Sequence, residues 1–169
     1  DLTELGRTPI LVVCAGAKSI LDLPRTLELL ETLGVPVLGY RTDRFPQFYV
    51  ADAPTADPLP VSARVEGAAE AAAVFDAHVR LGGGGAILAQ PCPADVAVNP
   101  DEFEAALQQA TAEAVRAKAH GPRATPFALA RVAELTGGRT LTANRALIVA
   151  NAALAADVAA ALTARRPAS

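Results

Sequence analysis

The chain has 169 residues, a formal net charge of −3, and 51% hydrophobic against 20% charged residues. That is a globular composition with enough chain for one domain and its core, and it excludes a disordered tract. The basic residues are scattered through a slightly acidic chain, so neither a nucleic-acid groove nor an anionic membrane surface is expected as a partner. The two cysteines, Cys14 and Cys92, are too few for a disulfide framework, and reduced thiols in a cytoplasmic protein are expected.

The chain contains no methionine and begins at Asp1, so a segment upstream is expected to have been removed or left out, and the first residues read as part of a loop. No stretch has the layout of a signal peptide. Ile10 to Cys14 is a continuous apolar run, the pattern of a buried parallel strand. The small-residue turn Ala15-Gly16-Ala17-Lys18-Ser19 follows. Ile20, Leu23, Leu27, Leu30 and Leu33 then recur at helical spacing, with Pro24 placing the regular start and Gly34 the stop. Val35 to Tyr40 is a second strand, which completes a β-α-β unit.

Arg41 to Pro60 is rich in Pro and Asp and holds Phe45, Phe48 and Tyr49, three of seven aromatic residues. It reads as a structured excursion over a site or interface, or as an ordinary surface loop. Val61 to Val65 alternates as a strand, and Gly67 to Leu81 is an alanine-rich helix. Gly82 to Gly85 precedes the strand Ala86 to Gln90. A phosphate-cradling loop joins a strand to a helix, so a tight connection is the better reading of these glycines. Asn99-Pro100-Asp101-Glu102 is a helix start with cap, proline and acids in order, and this helix is expected to reach about Ala119. Thr125-Pro126 caps a helix to about Thr136, and a last helix runs from about Leu141 to Ala164. Within it, Ala146 to Leu162 is interrupted by Asn151 and Asp157 and is expected to be a core helix instead of a membrane span. The fold class is α/β with a mainly parallel sheet and a helical C-terminal region.

Thirteen arginines stand against two lysines. Lys118 lies near a helix end, where solvation is expected. Lys18 directly follows a buried strand, among small residues, at the strand end where parallel α/β folds bind ligands. A desolvated amine there can lose its proton and attack a carbonyl, which a guanidinium cannot do. Schiff-base catalysis, phosphate binding and a snorkelling surface position are the readings of Lys18. Asn144, Ile148 and Asn151 share a helix face. A bound base edge or helix-to-helix hydrogen bonds would satisfy the two amides. Thr125 reads as a helix cap or as a phosphate contact.

The run Val12-Val13-Cys14-Ala15-Gly16-Ala17-Lys18-Ser19-Ile20-Leu21-Asp22-Leu23 resembles the lysine motif of the pseudouridine-5′-phosphate glycosidase family, also called indigoidine synthase A-like. The resemblance continues through Leu30 to Tyr40, Phe45-Pro46, Thr125 to Gly138, Leu141 to Asn144 and on to Asn151, and spans nearly the whole chain. It implies an α/β/α-layered homotrimer that uses a divalent metal, typically Mn2+. The implied reaction is the reversible breaking of the C–C bond between uracil and ribose 5-phosphate. The family's imine-forming lysine matches Lys18. A substrate-contacting aspartate matches Asp1, and a base-recognising asparagine matches Asn144. The family's acid, its main phosphate lysine and its metal aspartate fall upstream of Asp1. Residues 1–169 are therefore expected to be the C-terminal part of one glycosidase-type domain. The N-terminal half would be a partner, no metal ligand would lie in this chain, and the sheet would be incomplete without that half.

The sequence departs from the family pattern at Gln90-Pro91-Cys92-Pro93 (Asn-Pro-Ile-Pro), at Gly121-Pro122-Arg123-Ala124 (Gly-Lys) and at Ala150-Asn151 (paired asparagines). These changes bear on the aglycone pocket. The family includes C-glycosynthases of antibiotic pathways, and the Ala/Arg/Pro-rich composition is similar to that of actinobacterial proteins. Attachment of ribose 5-phosphate to an aromatic polyketide is therefore the alternative. A class I aldolase and a non-catalytic interaction fragment are further alternatives.

Overall fold

Strand residues with a period of two build a four-stranded sheet in the computed structural model, which describes residues 1–18, 22–50, 59–119 and 124–165. The strands are β1 (Leu11–Cys14), β2 (Val37–Tyr40), β3 (Ala63–Val65) and β4 (Ala86–Ala89). They pair in the order β1-β4-β2-β3, and every pairing is parallel. β4 reads Ala-Ile-Leu-Ala and is buried throughout, as a central strand covered on both faces requires.

The helices are α1 (Leu2–Leu5), α2 (Leu23–Thr32), α3 (Ala68–Arg80), α4 (Pro100–Arg116), α5 (Ala124–Leu135) and α6 (Arg139–Arg165). Val37, Ile87 and Ala89 point to one face, where Leu23 and Leu30 of α2 cover them. Leu38, Val65 and Leu88 point to the other, against Ala71 and Ala72 of α3 and Leu154 and Val158 of α6. The α/β/α layering expected from the resemblance is present. A third cluster lies at the carboxyl edge of the sheet, where Ala15, Tyr49 and Cys92 pack with Phe103 of α4, Val132 of α5 and Leu147 of α6.

Local chemistry sets the helix starts. The Asp22 carboxylate accepts from the Arg25 N–H at 3.1 Å, with Pro24 in the first turn, so α2 begins where the proline placed it. Asn99 accepts from the N–H groups of Asp101 and Glu102 at 2.9 and 3.2 Å, which satisfies two of the orphan donors of α4. The expected helical residues 20 and 21 lie outside the described residues.

Several expectations are corrected. Leu2–Leu5 is a helical turn and not loop: Asp1 O accepts from the N–H groups of Glu4 and Leu5. β2 and β3 each begin two residues later than expected. Val37 N–H donates to the Ser62 hydroxyl and not into a longer ladder. α4 ends at Arg116 instead of Ala119, because Lys118 is left-handed at φ 52° and the Lys118 and Ala119 N–H groups fold back onto Val115 and Ala114. α5 is already under way at Ala124, so Thr125 sits in the first turn and not at the cap; residues 120–123 lie outside the described set.

The largest correction concerns α6. It buries Ala143, Leu147, Leu154 and Val158, yet only 17% of its most apolar 18-residue window is buried. Ile148 and Val149 are 61% and 70% exposed. It supplies the core by one stripe only and leaves its outer face exposed. By length and composition it is apolar enough to cross a membrane, while its inner stripe packs on α3 and β1.

Gly82 to Gly85 do form a tight connection, at the amino end of β4. A Cβ on Gly84 would come within 2.5 Å of the Gly6 carbonyl oxygen, so the turn exists to let the segment after α1 lie against it. The Gly85 N–H donates to the Leu5 carbonyl at 2.6 Å.

Candidate active site

The carboxyl edge of the sheet gathers the turn after β1, the segment after β2 and the start of the loop after β4. β1 ends at Cys14 and the chain turns sharply at Gly16, which is left-handed at φ 78°. A Cβ there would lie 1.7 Å from the Pro46 carbonyl oxygen, so only glycine fits. Gly16 bridges to Gln47, and the Phe48 N–H donates to the Ala15 carbonyl at 3.1 Å. Residues 45–50 are thereby fastened onto the lysine turn, with Phe48 itself left-handed at φ 59°. In its described part the excursion from Arg41 is a structured cover; residues 51–58 lie outside the described residues.

Lys18 is half-buried. Its Nζ lies 5.6 Å from the centroid of the Phe48 ring, a cation–π distance. The side chain lines a cavity of about 700 Å³ together with Tyr49, Glu134, Thr140 and Asn144. Tyr49 is buried, packs edge-on to Phe48 at 4.7 Å between ring centroids and tilts against Phe103 at 5.6 Å. Burial raises its phenol pKa above the usual 10.0, so the hydroxyl keeps its proton at neutral pH. Glu134 reaches the cavity from α5 and accepts from Arg131 at 2.6 Å; the same guanidinium donates to Glu113 of α4 at 2.5 Å. A second cavity, about 430 Å³, lies between α2 and Leu59–Ser62 and has no lysine or amide side chain in its lining.

Of the residues singled out in the sequence, Lys18 and Asn144 meet in one cavity although 126 positions apart. Thr125 is exposed in the first turn of α5 and Asp1 is exposed at the start of α1; neither lines that cavity. Ile148 faces outward. The Asn151 carbonyl accepts from the Gln90 side-chain amide at 2.8 Å, a strand-end to helix bond where a helix-to-helix bond was expected. Gln90, a departure from the family pattern, thus meets Asn151, the retained member of the family's asparagine pair. Lys118 is exposed at the end of α4. Glu134 was not singled out, because a carboxylate three residues from an arginine on a helix reads as a surface pair.

Both thiols are unbridged. Burial raises the Cys14 pKa, partly offset by the Gly16 backbone hydrogen bond. Burial and the Asp95 carboxylate push Cys92 up to about 11. Both shifts disfavour the nucleophilic thiolate at neutral pH. Among the described residues no group of three or more His, Cys, Asp or Glu side chains is placed to hold a metal ion.

Together these features define an open, parallel α/β protein with an amine-bearing cavity at the carboxyl edge of its sheet, the ligand position of that fold class. Residues 1–161 match the indigoidine synthase A-like protein family, and the chain belongs to that family. It is 50% identical over 167 residues to a pseudouridine-5′-phosphate glycosidase of Methylobacterium nodulans, covering 98% of this chain and 48% of the relative. It is 51% identical over 169 residues to the one of Symbiobacterium thermophilum, covering 97% and 52%. The crystal structure of the prealnumycin C-glycosynthase AlnA in complex with ribulose 5-phosphate matches with a TM-score of 0.87 at 37% identity, covering 97% of this chain and 53% of that one. An indigoidine synthase A-like protein from Thermotoga maritima matches at TM-score 0.78 and 33% identity, covering 98% and 53%. The chain spans about half the length of these relatives.

Proposed function

We propose that this chain carries the covalent lysine of an enzyme that reversibly makes or breaks the C–C bond between ribose 5-phosphate and uracil. The observation that carries the reading is Lys18 and Asn144 lining one cavity at the carboxyl edge of the sheet. Relatives about 50% identical and named pseudouridine-5′-phosphate glycosidase support it.

The chemistry follows from the amine. Neutral Nζ of Lys18 adds to the C1 aldehyde of open-chain ribose 5-phosphate, and loss of water from the carbinolamine leaves an imine. Protonated, the imine carbon accepts a ring carbon of the aglycone, which then gives up its proton; departure of the Lys18 amine and closure of the sugar 4-hydroxyl onto C1 free the lysine and complete the C-riboside. In the reverse direction the C–C bond breaks to the same imine, and water releases the sugar. The Phe48 ring face, the short turn at Gly16 and the half-burial of Lys18 hold the amine in one place, which is the entropic part of such catalysis. Asn144 offers an amide donor and acceptor to the edge of the base. Substrate contacts by Asp1 and Thr125 belong to the same proposal; that of Asp1 rests on the sequence resemblance, and the phosphate contact of Thr125 on its place in the first turn of α5.

The complete enzyme is proposed to be a cytoplasmic homotrimer, with this chain as the C-terminal part of one glycosidase-type domain. A divalent metal, Mn2+ by the resemblance, would be held mainly by residues outside this chain. The half of the relatives' length not covered here is the proposed first partner. β1 supports this: its outer edge pairs with no described strand, and Ile10 beside it is 48% exposed, whereas parallel strands are normally covered.

A second reading, C-glycosynthesis onto an aromatic polyketide in antibiotic biosynthesis, is favoured by the TM-score of 0.87 to a prealnumycin C-glycosynthase. The test common to both is borohydride reduction of the complete enzyme with ribose 5-phosphate, followed by mass mapping. A reduced sugar adduct on Lys18 is expected, and none after Lys18→Ala. An unmodified Lys18, or a Lys18→Ala enzyme of unchanged activity, would leave a non-catalytic fragment as the better account. Competition between uracil and an aromatic acceptor decides the aglycone, and release of an intact pentose phosphate separates both from an aldolase.

A further inference from the structure

Tyr49 belongs to the segment that Gly16 and Ala15 fasten onto the lysine turn, so its ring is fixed relative to Lys18. It packs edge-on to Phe48 at 4.7 Å and against Phe103 at 5.6 Å, and the residue as a whole is 8% exposed. Yet it lines the same cavity as Lys18 and Asn144. Its hydroxyl bonds to no other described residue and is not sealed among the orphaned buried atoms. A phenol that opens to a cavity, with no described residue bonded to it, can donate to a molecule bound there. Lys18 takes C1 of the sugar in the reading above, and Asn144, which that reading gives to the base edge, lines the cavity together with Tyr49.

We propose that Tyr49 is a further substrate-binding residue, its phenol donating a hydrogen bond to an acceptor oxygen on the planar aglycone that Lys18 joins to ribose 5-phosphate. With Asn144 it forms a polar pair that orients the aglycone ring in its plane, so that the nucleophilic carbon faces the imine. The inference rests on the reading of Lys18 given above. It applies to either aglycone, because uracil and an oxygenated aromatic both present carbonyl oxygens.

Tyr49→Phe removes one oxygen and keeps the ring, so the contacts with Phe48 and Phe103 persist. In the complete enzyme the variant is expected to raise KM for the aglycone about three- to tenfold, the size of one lost hydrogen bond. Little change is expected in KM for ribose 5-phosphate or in the yield of borohydride adduct on Lys18. Thermal unfolding of the variant, expected within a degree or two of wild type, separates a lost contact from a loosened fold. An unchanged KM for the aglycone overturns the inference, as does an effect confined to the KM of ribose 5-phosphate. Wild-type enzyme that forms no adduct on Lys18 sinks the lysine reading and this inference with it; a normal adduct with an unaltered variant sinks this inference alone.

Discussion

Gly16 is the residue on which the geometry of the cavity turns. Its left-handed backbone and the nearness of the Pro46 carbonyl allow the aromatic segment to lie on the lysine turn. Gly16→Ala would place a methyl group 1.7 Å from that oxygen in a conformation that alone costs an L-residue about 1–2 kcal/mol. The contact adds to that figure, and the expected result is a drop in melting temperature of several degrees together with loss of sugar trapping on Lys18. A variant that keeps both would mean that the contact between Gly16 and Pro46 does not hold the site. At the same scale, Asn144 and Lys18 were visible in the sequence as residue types in suggestive places, whereas Tyr49 was only one aromatic in an excursion. Nothing local distinguishes a phenol facing a cavity from one packed in a core.

Arg131 joins elements that the sequence presents as separate helices. Its guanidinium bridges Glu113 of α4 and Glu134 of α5, and Glu134 lies at the cavity. The hydrogen bonds from Arg131, then Gln109, hold the Glu113 carboxyl below its ordinary 4.5, while Arg131 is raised in turn. A carboxyl lowered by folding contributes stability above its unfolded pKa, and that contribution is lost as pH falls through the folded one. Glu113→Gln is therefore expected to melt lower than wild type at neutral pH, with the gap closing as pH falls below about 4. Melting curves at several pH values read this directly; a gap that widens toward acid would contradict the bridge. Helix limits were legible where a cap spells them out, as at Asp22 and Asn99. The end of α4 was not, because a left-handed Lys118 has no sequence signature of the kind a glycine provides.

For the molecule as a whole, the edge of β1 that pairs with no described strand and the exposed outer face of α6 are the surfaces the proposed partner half would cover. Alone, this chain is expected to trap no sugar on Lys18, and addition of the other half is expected to restore trapping and to raise the melting temperature. Full trapping by the isolated chain would show that the missing half supplies nothing to the imine step.

Periodicity, caps and the run around Lys18 determined on their own the alternation of strands and helices, the parallel sheet and the family. Each is written in neighbouring residues, and backbone geometry with side-chain spacing converts it directly into local structure. The tertiary structure decided what is long-range: that β4 enters between β1 and β2, that Asn144 faces the same cavity as Lys18, and that Gln90 satisfies Asn151. It also decided that α6 buries only one stripe. Such pairings arise from which surfaces close on one another, and an apolar stretch such as Ala146 to Leu162 has the same composition whether or not a neighbour covers it.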